Sequence, residues 1–149
     1  MATSPAALLA RKPDAAQAAV LHLFGGPYVM LRGQRKDVPE GSKRLLVFVA
    51  LRRTRVERSC VAGTLWPIGG ELRAAGNLRS ALWRLRRAEI DLIVADKWSL
   101  ALSDQVVVDL RVMEEWAARL IANTATRDDL GVMQWHMDAL DLLPGWYDD

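Results

Sequence analysis

The chain has 149 residues, 51% of them hydrophobic, which suits one domain, or one small domain plus an appendage, with its own core. A single cysteine, Cys60, excludes an internal disulfide and fits a reducing cytosol; with only His22 and His136 beside it a zinc site is not expected, no stretch approaches the about 18 to 20 apolar residues of a membrane span, and residues 1–20 do not read as a secretory signal. The formal net charge of +2 hides an asymmetry, because residues 31–87 carry 14 Lys/Arg against 4 Asp/Glu and residues 88–149 carry 4 against 13, so the first block is suited to a polyanion such as nucleic acid.

Residues 1–19 are Ala-rich with Ser and Pro and read as a loose tail. Two short β-type runs follow, Val20 to Phe24 and Tyr28 to Leu31, punctuated by Gly25-Gly26-Pro27 and ended by Gly33. His22 lies within the first run and is read as facing outward. Ser42 is a candidate N-cap for a helix over KRLLVFVALRRTR, with Leu45, Leu46, Phe48, Val49 and Ala50 as its apolar face. Arg52, Arg53 and Arg55 crowd its end, where cations complement the helix dipole.

A shorter helix is expected from Glu57 to Trp66, stopped by Pro67 and Gly69-Gly70, with Cys60, Val61, Leu65 and Trp66 as core contacts. No base lies near Cys60 in sequence, so it reads as a packed apolar residue, not a nucleophile. The third helix runs from Leu72 to Ala88. Leu92 to Val94, Leu100 to Leu102 and Val106 to Val108 are strand candidates, with Asp96-Lys97 at the tip between the first two. A helix from Leu110 to Ile121 carries the stripe Val112, Met113, Trp116, Ala117 and Leu120. A further helical piece is expected from Asp129 to Leu142. The predicted class is α+β: a winged helix-turn-helix with an N-terminal β-sheet and a C-terminal hairpin wing, followed by extra helices. Its expected divisions are a tail over 1–19, a DNA-binding domain over 20–109 and a helical segment over 110–149.

The third helix contains NLRSALWRLRR, residues 77–87. With Leu78 at zero and about 100° per residue, Ala81, Leu82 and Leu85 fall within about 60° of it as a buried stripe. Arg86 and Arg79 then come at roughly 80° and 100°, Trp83 at 140°, Arg87 at 180°, Ser80 at 200°, Arg84 at 240° and Asn77 at 260°. That arc is cationic or hydrogen-bonding throughout. Solvated faces usually mix signs, whereas no carboxylate appears here until Glu89. Arginine forks bind phosphate oxygens or the O6/N7 edge of guanine, and an α-helix fits the major groove. Trp83 either meets a thymine methyl or sugar, or leans onto the hairpin or a partner protein. Lys43 and Arg44 at the first helix's start, and Lys97 at the hairpin tip, are candidate phosphate contacts that set position without reading sequence. Trp66 is expected to pack under this helix.

The pattern LFGG, then KRLLVFVAL, GTLW, NLRSALWRLRRA and a hairpin ending VVVDL resembles the antibiotic-regulatory-protein (SARP-type) activators of bacteria, whose DNA-binding module is an OmpR-type winged helix. The closing LDLLPGWYDD resembles the opening of the bacterial transcriptional activator domain that follows it in that family, so the likeness covers about residues 20–149. The chain stops inside that motif, so a fragment or a truncated regulator is expected. The resemblance implies binding to direct promoter repeats as two copies side by side, contact with RNA polymerase and activation of transcription; no cofactor is expected, and the expected location is cytoplasmic, nucleoid-associated. It places base contacts at Asn77, Ser80 and Arg84, and phosphate contacts near Arg79, Trp83, Arg86 and Arg87. Trp83 departs from the polar residue usual there. The tip, ADKWS, lacks the family's arginine and glycines and leaves Lys97 as its cation.

The reading is therefore sequence-specific binding of double-stranded DNA and regulation of transcription. The alternative is a protein-interaction module that docks on RNA polymerase or another regulator through the same face. RNA binding is weaker, for want of a stacking aromatic sheet motif. No Gly-rich phosphate loop, Ser/His/Asp arrangement or metal-spaced ligands point to an enzyme.

Overall fold

The computed structural model describes residues 19–52, 54–122, 143, 144 and 146. The tail up to residue 18 and the expected helix from Asp129 to Leu142 lie outside the described residues. In chain order the elements are β1 (Ala19–His22), β2 (Tyr28–Leu31), β3 (Gln34–Asp37), α1 (Lys43–Leu51), β4 (Val56–Glu57), α2 (Arg58–Leu65), α3 (Glu71–Arg87), β5 (Ile93–Ala95), β6 (Ser99–Leu102), β7 (Val106–Val108) and α4 (Asp109–Ile121). The class is α+β, as the alternation of short β runs and helical periodicity predicts. Two compact units divide the chain, one formed by residues 36–106 and one by the segments on either side of them.

In the unit of residues 36–106, α1 buries Leu45, Leu46, Val47, Val49 and Ala50, while Phe48 is half-buried beneath the Arg52 guanidinium, 4.7 Å from its ring centroid. Ser42 stands at the N-cap position but caps nothing with its side chain. Its hydroxyl instead donates to the carbonyl of Ala81 at 2.7 Å, a buried link from the start of α1 to the middle of α3. The nearby turn, Glu40–Ser42, has a 3-10 form.

Helix α2 buries Val61, Ala62 and Leu65. Cys60, expected in the core, is exposed, because it turns about 100° from Val61 to the side away from Ala62 and Leu65. Trp66, beyond the last helical residue, is half-buried. Gly69 and Gly70 then take φ of 105° and 85°, a left-handed pair that only glycine adopts without strain, and Gly70 is the N-cap of α3.

Ala74, Leu78, Ala81 and Leu85 are the buried positions of α3, so truncating Leu78 or Leu85 to alanine would cost about 2–5 kcal/mol. The helix ends in a Schellman arrangement: Glu89 N–H donates to the Arg86 carbonyl at 3.1 Å and Ile90 N–H to the Leu85 carbonyl at 2.9 Å, with Ile90 buried against the last turn. The position that glycine usually holds there belongs to Glu89, at φ 57°. The hairpin β5–β6 pairs Ile93 with Leu102 and Ala95 with Leu100, and the two-residue strand β4 joins its other side through Val56 and Leu100, giving the order β4–β6–β5.

In the flanking unit, β1 and β2 pair antiparallel, with Leu21 opposite Val29 and His22 opposite Tyr28. Arg32 and Gly33, both at positive φ, form the two-residue turn into β3, a polar strand (QRKD) with no hydrophobic alternation to announce it. The sheet order is β3–β2–β1–β7. Helix α4 buries Val112 and Trp116, and Leu120, expected in its stripe, is exposed. Asp109 at its start is fully buried. Its carboxylate accepts the amides of Leu23 at 2.9 Å, Phe24 at 3.1 Å and Leu110 at 2.7 Å, which ties the end of β1 to the start of α4.

Candidate nucleic-acid interface

Seventeen residues of α3 make a rod about 25 Å long. The buried stripe consumes Leu78, Ala81 and Leu85, and Leu82 is half-buried at its edge. Arg79, Ser80, Trp83, Arg84, Arg86 and Arg87 are exposed and Asn77 is half-buried. Six of the seven residues expected on the outward arc of this helix thus reach solvent together, on one element and one side.

Among the described residues Arg79, Arg84 and Arg86 make no ion pair or hydrogen bond. Arg87 lies over the ring of Trp83, 5.0 Å from its centroid. Trp83 itself is 54% exposed, so it does not lean into the core. Arg84 lies back across Gly41 in the turn before α1. An open depression of about 580 Å³ runs along the N-terminal half of the arc, lined by Arg73, Gly76, Asn77, Arg79, Ser80 and Trp83. Such a surface offers many hydrogen-bond donors and few acceptors, the chemistry that a phosphate backbone and guanine edges require.

The remaining expected contacts lie on other elements. Arg44 is exposed at the start of α1, and Lys43 is held by Glu40, its Nζ 2.7 Å from Oε2. Lys97 is at the hairpin tip, its Nζ 5.2 Å from the ring centroid of Trp98. The tip is tightly organised. One carboxylate oxygen of Asp96 accepts the amides of Trp98 at 2.8 Å and Ser99 at 2.7 Å, and the other accepts Arg55 Nη2 at 2.9 Å. Arg58 donates to the Asp96 carbonyl at 3.0 Å, and its own amide donates to the Trp98 carbonyl at 2.9 Å. The Ser99 amide, then the Trp98 amide, hold the Asp96 carboxyl below the usual carboxylate range.

Trp98 is the residue that sequence reasoning missed: it is 73% exposed on this clamped turn. The signal was an Asp followed two and three residues later by amides it can accept, the local pattern of an Asx turn. Among the described residues no three His, Cys, Asp or Glu side chains gather to hold a metal, and no helix is long and apolar enough to cross a membrane. No protein-family model, no curated protein and no solved structure matches the chain.

Proposed function

We propose that the chain is a sequence-specific double-stranded DNA-binding regulator of bacterial transcription. In this reading residues 36–106 act as a winged helix-turn-helix: α2 and α3 form the motif, α3 enters the major groove and the β5–β6 hairpin is the wing. The observation that carries the reading is the arc of Arg79, Arg84, Arg86 and Arg87, exposed on one side of α3 and not neutralised by carboxylates among the described residues. Asn77, Ser80 and Arg84 are the base-reading set; Arg79, Trp83, Arg86, Arg87, Lys43, Arg44 and Lys97 serve phosphates or sugars. Activation, tandem binding to promoter repeats and contact with RNA polymerase extend this reading from the family resemblance alone.

The test is fluorescence anisotropy with promoter fragments at several salt concentrations. Log affinity should fall with log salt at about 0.9 per phosphate neutralised, and Arg87→Ala should weaken all sequences alike while lowering that slope by about 1. Affinity that does not respond to salt would refute the reading. Trp83, at 54% exposure, favours one rival: docking on a protein such as RNA polymerase through the same face. That rival wins if Trp83→Ala abolishes a protein contact while Arg84→Ala leaves promoter binding unchanged.

A further inference from the structure

A second groove, of about 420 Å³, lies between one side of α3 and strand β5. We propose that it is an effector site for a planar aromatic carboxylate and that its occupancy competes with DNA; the competition rests on the DNA-binding reading above, the site itself does not.

The groove combines two chemistries. Its floor is apolar, with Leu85 and Ile90 buried beneath and Leu82 and Ile93 half-buried on its sides. Its rim carries the guanidiniums of Arg58, Arg79 and Arg86 against a single carboxylate, Asp91. Trp83 closes one side with an indole that is 54% exposed. A neutral apolar guest would cover the arginines without pairing them, which is costly. A bare phosphate would pair with them and leave the floor wet. A flat aromatic body with a carboxylate uses both, resting on the floor and the indole while an arginine fork takes the anion. The volume lies within the range of about 300–1,000 Å³ usual for small-molecule sites.

One wall is pre-set. Arg58 is anchored by its 3.0 Å hydrogen bond to the Asp96 carbonyl, so little side-chain freedom is lost when a ligand binds. Arg79 and Arg86 have no ion-pair partner among the described residues and can swing to an anion. On α3 the groove side spans roughly 40° to 140° from Leu78, through Leu82, Arg86, Arg79 and Trp83. The last three also belong to the phosphate-facing set, whereas Asn77, Ser80 and Arg84 lie beyond them. A guest in the groove would therefore withdraw two phosphate-binding cations and leave the base-reading side untouched.

The experiment is an NMR titration of the full chain with 2-naphthoate, following amide signals and the Trp83 indole, which is assigned by its loss in Trp83→Phe. Saturable shifts of that indole and of the amides of Leu82, Arg86 and Ile93 are expected. The neutral 2-naphthamide should bind roughly tenfold more weakly, because it cannot make the charge-assisted bond. Arg58→Gln, and independently the surface substitution Ala95→Glu at the groove's edge, should each weaken 2-naphthoate by roughly fivefold or more. Shifts that fail to saturate, or that the amide and both variants reproduce, overturn the site. In a second arm, saturating 2-naphthoate should raise the dissociation constant for a promoter fragment in the wild type and not in Arg58→Gln. Probe binding with no effect on DNA overturns the competition. Probe binding by a chain that binds no DNA supports the site and refutes the functional reading instead.

Discussion

The guanidinium of Arg84 lies across the backbone of Gly41: a Cβ added at Gly41 would stand 2.7 Å from Nη1 and 3.1 Å from Cζ of that arginine. A candidate base-reading side chain on α3 is thus parked against the turn that leads into α1, and only a residue without a side chain leaves room for it. The obstructing atoms are the far end of a flexible chain, so Gly41→Ala is expected to change stability by no more than about 0.5 kcal/mol while displacing the guanidinium. The Nε resonance of Arg84 reports the displacement. If the chain binds DNA as proposed, Arg84→Ala should cost roughly 1–3 kcal/mol of that binding and relax specificity at one base pair. An unchanged binding-site preference in Arg84→Ala would remove it from the base-reading set.

Glu89 holds the left-handed position of the Schellman end of α3 at φ 57°, where a β-carbon is crowded. Among the described residues its side chain meets Lys36 in an exposed contact, 3.5 Å away, which contributes little. Glu89→Gly is therefore expected to stabilise the chain by about 0.5–1 kcal/mol, read as an upward shift of the thermal midpoint. A loss of stability would show that the Lys36 contact outweighs the backbone strain.

Long-period signals were legible in the sequence and single contacts were not. The stripe of Leu78, Ala81 and Leu85 follows from spacing alone, and so does the cationic arc opposite it, because one helix of 17 residues supplies both. Strands β3 and β4 left no trace, the first being polar on every residue and the second only two residues long. Ser42 shows why local rules fail: it stands where a cap belongs, but the carbonyl it serves is 39 residues away. Lys97 was visible as a cation, whereas the bonds that Arg55 and Arg58 make to Asp96 from about 40 positions earlier were not.

Asp109 joins two segments that are 86 residues apart, accepting the Leu23 amide while its second oxygen accepts the Phe24 amide. His22 Nδ1 lies 3.6 Å from the same carboxylate, and its ring stacks on Tyr28 with centroids 4.6 Å apart. Asp109→Ala removes the acceptor of the buried Leu23 amide and of two part-buried ones. Each charge-assisted bond is worth about 1.5–3 kcal/mol, so a loss of about 3 kcal/mol or more is expected in urea denaturation. Asp109→Asn retains one acceptor oxygen and should recover part of it. Equal losses in the two variants would mean that burial volume, not hydrogen bonding, is what the site requires.

The hairpin tip should respond to acid and to nothing milder. Asp96 is held as a carboxylate chiefly by the Ser99 amide and then by the Trp98 amide, so its folded pKa lies below that of an ordinary aspartate, about 3.9. A depressed carboxyl contributes its stabilisation above the unfolded value and loses it as pH falls through the folded one. Between pH 8 and 5 the tip should therefore be constant, and below about pH 4 the Trp98 and Ser99 amide signals should move together as the acceptor is protonated. Asp96→Ala should reproduce the acid form at neutral pH, releasing Arg55 and loosening the turn that presents Lys97 and Trp98. Because the carboxylate is exposed, global stability should hardly change, and the effect should appear in the tip's signals. A midpoint for those amides above pH 5 would show that the clasp does not stabilise the charged form.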